Sequence, residues 1–110
     1  MNFKVKASPS FEKEAKRIAK KHPSIKHDLL RLIDQLETNP RLGTDLGRNT
    51  YKIRLAISDT NKGKSGGARI ITYLLINAET VILADIYLKS EHETTNPELI
   101  IRRLENDGLI

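Results

Sequence analysis

Three runs in the second half of the chain decide the fold: YKIRLAI (51–57), ARIITYLLI (68–76) and TVILADIYLK (80–89). In the first, Tyr51, Ile53, Leu55 and Ile57 alternate with Lys52 and Arg54, the period of a half-buried strand. The second is apolar apart from Arg69, Thr72 and Tyr73, and reads as a central strand covered on both faces. The third sets Asp85, Tyr87 and Lys89 on a common face. A polar, Gly-rich turn (58–67, SDTNKGKSGG) and a tight turn at Asn77-Ala78-Glu79 join the three into a meander.

Upstream, residues 2–7 (NFKVKA) alternate as one more strand. Ser8-Pro9 then opens a helix, with Ser as cap and Pro in the first turn. Phe11, Ala15, Ile18, Ala19 and His22 share one helical face, and Pro23 ends the helix. A second helix runs from about Ser24 to Thr38 on the stripe Ile25, Leu29, Leu32, Ile33 and Leu36, and Asn39-Pro40 stops it. The short join predicts a helical hairpin, with His22 and His27 as solvated histidines near its turn. Residues 41–49 (RLGTDLGRN) read as loop. At the far end, Asn96 caps a last helix, Pro97 opens it, Glu98 suits its dipole, and Gly108 stops it. The predicted order is β-α-α-β-β-β-α, an α+β fold with a mainly antiparallel sheet, in one domain over residues 1–110.

Composition narrows the function. The 110 residues are 38% hydrophobic and 30% charged, the balance of a globular chain. Apolar runs of four or five residues are too short for a transmembrane helix, and residues 1–20 carry no apolar signal block. Cysteine is absent, which suits a cytoplasmic chain with no disulfides. With only three scattered His, no metal site and no cofactor are expected. The net charge of +5 is uneven: residues 1–54 hold 13 Lys/Arg against 6 Asp/Glu, and residues 55–110 hold 6 against 8. A basic half has two readings, solubility or a polyanion partner, with nucleic acid first among such partners.

The candidate chemistry lies on the meander. Burying Ile53 and Leu55 sends Lys52 and Arg54 to the opposite face. Arg69, alone among the charges of its strand, has to lie on an open part of the sheet or pair with a carboxylate such as Asp85. With Tyr87 and Lys89 these residues can form a basic patch carrying an aromatic, which is what phosphate binding with base stacking requires. KGKSGG (62–67) has the wrong spacing for a phosphate-binding P-loop. Its Lys62 and Lys64 read as hairpin-loop cations able to touch a nucleic-acid backbone.

Four stretches resemble the RelE/ParE superfamily of bacterial toxin–antitoxin toxins, particularly its RelE and HigB-like members: YKIRLAI (51–57), GKSGGARIITY (63–73), ILADIYLKSEHE (82–93) and FEKEAKRIAKK (11–21). The resemblance covers almost the whole chain. It implies an intracellular toxin of a type II module, held in check by a cognate antitoxin and cutting messenger RNA on the ribosome without a metal. Other branches of the superfamily bind and inhibit DNA gyrase and cut nothing. Carried over by position, Arg54 and Arg69 hold the phosphate and stabilise the transition state. Lys52 or Lys89, crowded by other cations, is the candidate base. Tyr87 orients or stacks the nucleotide, and His92 or Glu91 is the next candidate for proton transfer. The implied antitoxin is acidic and partly disordered, with the exposed sheet face and the lysines of the first helix (Lys13, Lys16, Lys20) as its complementary surface.

Overall fold

Strand β4 (Ala68–Leu75) lies at the centre of a five-stranded sheet, flanked by β5 (Thr80–Leu88) and β3 (Thr50–Leu55), as its nearly unbroken apolar run requires. In the computed structural model, which describes residues 2–59, 66–91 and 96–110, strand β1 (Lys4–Ala7) lies beyond β5 and strand β2 (Thr44–Gly47) beyond β3. Only the β1–β5 pairing is parallel. Helices α1 (Pro9–Lys21) and α2 (Ile25–Thr38) form the hairpin, and α3 (Pro97–Asn106) follows the sheet. The α+β fold and its mainly antiparallel sheet are therefore as the sequence predicts, with one strand added. Among the described residues, no helix is long and apolar enough to cross a membrane.

That added strand corrects the reading of 41–49 as loop. TDLG has no apolar alternation to announce a strand, yet Thr44 pairs with Lys52 and Asp45 with Tyr51. The turn behind it is built from three successive left-handed positions, Gly47 (φ 87), Arg48 (φ 55) and Asn49 (φ 64), a conformation that Gly and Asn tolerate best.

Both sheet faces are covered. Phe11 and Ile18 of α1 and Ile25, Leu32 and Leu36 of α2 pack on Ile53, Ile70, Val81 and Ile86. On the other face Ile100 and Leu104 of α3 cover Ile71, Ile82, Ala84 and Tyr87. A β-bulge at Ala84 makes this division possible. Ile71 pairs with Asp85 but Thr72 with Leu83, so Ala84 is the extra residue and the alternation of β5 changes phase there. Val81 and Leu83 before the bulge and Ile86 and Leu88 after it all face the hairpin. Ser8 ties the bulge to α1: its hydroxyl donates to the Ala84 carbonyl at 3.1 Å and accepts from Phe11 N at 3.1 Å as the helix cap. At the other end of the chain, Asn96 caps α3 by accepting from Glu98 N at 2.9 Å.

Candidate functional site

Strand register builds the site. Arg54 on β3 stands directly opposite Arg69 on β4, and Arg69 stands opposite Tyr87 on β5, giving one row across three strands. The neighbouring row is Lys52, Ile71 and Asp85. Directly opposed residues in antiparallel strands have Cα atoms about 4.5–5.5 Å apart, and like charges at that spacing are destabilising. Arg54 and Arg69 are therefore neighbours across the β3–β4 pair.

A short contact holds the pairing. A β-carbon on Gly67, just before β4, would collide with the Leu55 carbonyl oxygen of β3. Gly67 also accepts from Lys89 N at 3.0 Å, which extends the β4–β5 ladder by one step. Only a residue without a side chain lets the start of β4 approach β3 so closely, and this approach brings Arg69 level with Arg54.

Exposure is graded along the row. Arg54 is exposed and Lys52 half-buried, whereas Arg69 is 5% and Tyr87 3% exposed. The cause is α3, which packs over Ile71, Ile82, Ala84 and Tyr87, while Arg54 at the far end of the row stays in solvent. Its Arg103 stands 3.9 Å from the Asp85 carboxylate. The expectation that Tyr87 offers its ring to a base is therefore corrected: the ring belongs to the core under Ile100 and Leu104. Arg69 likewise lies in a covered part of the sheet face, and its Nη1 donates to the Ala68 carbonyl at 3.2 Å. Lys89 is exposed beyond the end of β5. Lys62, Lys64 and His92 lie outside the described residues.

Glu91 serves α1. It accepts a two-pronged bond from Arg17, at 2.8 and 3.1 Å, while Arg17 Nε donates to Glu14 at 2.9 Å. Hydrogen bonds to Glu91 first, and to Glu14 second, raise the Arg17 pKa above its ordinary value. The clamp fixes the turn that follows Lys89.

One buried acid was not singled out from the sequence. Asp28, 3% exposed, accepts from Ser58 N at 2.9 Å, from the Ser58 hydroxyl, and from Arg31 Nη2 at 3.0 Å. Burial acts to raise its pKa, but the two Ser58 bonds and the Arg31 guanidinium outweigh it and hold the carboxyl below its ordinary value. A signal was available, because Asp28 falls three residues after Ile25 and four before Leu32 on the buried stripe. Next to it, His22 Nδ1 lies 3.1 Å from Asp59 Oδ1. His22 is therefore a partner of the turn after β3 and not a solvated histidine.

These bonds moor the end of β3 to the hairpin and shape a groove of about 750 Å³ along the β3 edge, with Leu32 and Gln35 on one wall and Lys52 and Arg54 at the other. Among the described residues, no cluster of His, Cys, Asp or Glu could hold a metal ion. Comparison with protein-family models and with curated proteins returns no match.

Proposed function

We propose that this protein is the toxin of a type II toxin–antitoxin module: a metal-independent endoribonuclease that cuts messenger RNA on the ribosome, arrests translation in the cytoplasm, and is restrained by an acidic, partly disordered antitoxin. The observation that carries this reading is Arg54 set directly opposite Arg69, with Lys52 two residues away on the same face of β3. Cationic side chains that neighbouring strands bring to one sheet face suit a phosphodiester, and that supports the reading.

In the proposed reaction Arg54 and Arg69 act on one phosphodiester. The 2′-hydroxyl loses its proton and attacks phosphorus, the O2′–P bond forms, the P–O5′ bond breaks, and O5′ takes up a proton. The exposed Arg54 meets the phosphate first. Arg69, beside it in poorly solvated surroundings, adds charge where the phosphorane develops, and one such donor is worth about 3–4 kcal/mol in comparable sites. Lys52, from the adjoining row, and Lys89, at the end of β5, are the described residues able to move protons there. His92 is the further candidate. Tyr87 backs Arg69 from the core and positions it.

The test is expression in bacteria while translation, messages and replication are followed together. We expect amino-acid incorporation to fall first, with cut messages. A DNA-damage response with intact messages would overturn the nuclease reading in favour of a gyrase inhibitor of the same fold.

A further inference from the structure

The outer face of α1 lies on the opposite side of the sheet from the Arg54–Arg69 row, because α1 packs on the hairpin face. Lys13, Lys16 and Lys20 are exposed there at spacings of three and four, so their side chains neighbour one another. Two of the acids within reach are already committed, since Arg17 takes both Glu14 and Glu91. The three lysines make no ion pair among the described residues. Like charges at these spacings destabilise a helix by about 0.2–0.5 kcal/mol per pair. The row runs along a hollow of about 460 Å³ lined by Pro9, Glu12, Lys13, Lys16, Arg17 and Lys20.

We propose that this helix face is a second, sequence-independent docking site for a phosphodiester backbone, specifically that of helical RNA. The choice of RNA as the polyanion rests on the toxin reading; the anion site itself does not. The composition of the hollow favours phosphate over the acidic antitoxin segment that the family resemblance places on these lysines. Peptide interfaces take their affinity from buried aromatic and aliphatic anchors, and Pro9 is the one apolar residue lining this hollow. Backbone binding needs only cations that displace counterions. Lys13 to Lys20 spans about 10 Å at 1.5 Å per residue, enough to follow a backbone and not merely a single phosphate. None of the residues lining the hollow is aromatic, so it offers an unpaired base no stacking surface, which favours the backbone of helical RNA over a single strand.

The experiment measures binding of a blunt RNA duplex to the full chain over a range of salt concentrations. The wild type is compared with a Lys13→Gln, Lys16→Gln, Lys20→Gln triple variant and with Arg54→Ala. The triple variant should bind at least tenfold more weakly at low salt, and the slope of log affinity against log salt should fall by about 2–3. Its Tm should be unchanged or higher, since Gln matches Lys in helix propensity and the repulsion is relieved. A wild-type slope in the triple variant, a lowered Tm, or a glutamate polymer that binds the wild type as tightly as the duplex would each overturn the inference. If Arg54→Ala still arrests growth while the triple variant loses its slope, the toxin reading fails and the docking site stands. If Arg54→Ala abolishes arrest but the slope does not change, the docking site fails alone.

Discussion

Arg54 stands in solvent, while Arg69, its cross-strand neighbour, is 5% exposed. The two alanine variants should therefore differ. If Arg54 holds the phosphate as proposed, Arg54→Ala removes that donor and little packing, so toxicity should fall by about 10²–10³-fold with Tm unchanged. Arg69→Ala should lose activity and also about 1–3 kcal/mol of stability, because it empties a buried site between β3 and β5. Growth arrest in cells together with thermal melts of the purified proteins separates the two. A folded Arg54→Ala protein that remains fully toxic would rule out this sheet face. The period-two pattern was enough to put Lys52 and Arg54 on one face of β3, since it depends only on neighbours along the chain, while Arg69 standing opposite Arg54 follows from the β3–β4 register. The burial of Tyr87 was not legible: it follows from where α3 docks, and nothing local to IYLKS encodes that.

At the level of elements, two moorings fix β3. The first is Asp28, whose carboxylate holds Ser58 against α2. Asp28→Ala strands the Ser58 N–H in a part-buried place, and near neutral pH it should cost about 1–3 kcal/mol. The pH dependence has a definite sign. The folded pKa is below the ordinary 3.8, so the ionised carboxylate contributes its full stability above that value. The contribution is lost as pH falls through the depressed folded value. Denaturant midpoints for wild type and variant should therefore differ at pH 7 and converge in strong acid; a gap that persists there would contradict the assignment. The second mooring is Gly67, where a methyl group meets the Leu55 backbone. Gly67→Ala should destabilise by about 1–3 kcal/mol and shift the amide resonances of both β3 and β4, whereas the same change at Gly108, where a β-carbon meets nothing within 4 Å but the backbone is left-handed (φ 74), should cost only that local strain and leave the β3 and β4 resonances in place. The helices were legible because their stripes and caps are local. β2 was missed because TDLG pairs through its backbone and carries no apolar period. The bulge was missed because Ala84 looks like any other residue of an apolar strand.

For the molecule as a whole, the helical hairpin and α3 each close one face of the sheet, leaving the β3 side of the α3 face as the open cationic ground with Lys52 and Arg54 on it. An acidic segment that is disordered alone has a reason to order here: its carboxylates would meet Lys52 and the exposed Arg54, and the groove along β3 offers the half-buried Leu42 and Leu55 for apolar contacts. Such a partner binds the folded chain and not the unfolded one, so it must raise the melting temperature by mass action. At 100 times its Kd it contributes about 2.7 kcal/mol, which for a chain of this size is a rise of roughly 10 °C. If a small reading frame beside this one encodes the proposed antitoxin, we expect its co-expression to relieve growth arrest, and the purified pair to melt about that much higher than the protein alone. The rise should shrink with added salt if charge carries the contact, and it should be smaller for Arg54→Ala than for wild type. An adjacent gene product that leaves both growth arrest and Tm unaltered would remove the antitoxin from this account while leaving the chemistry of the Arg54–Arg69 row to be judged by its own variants.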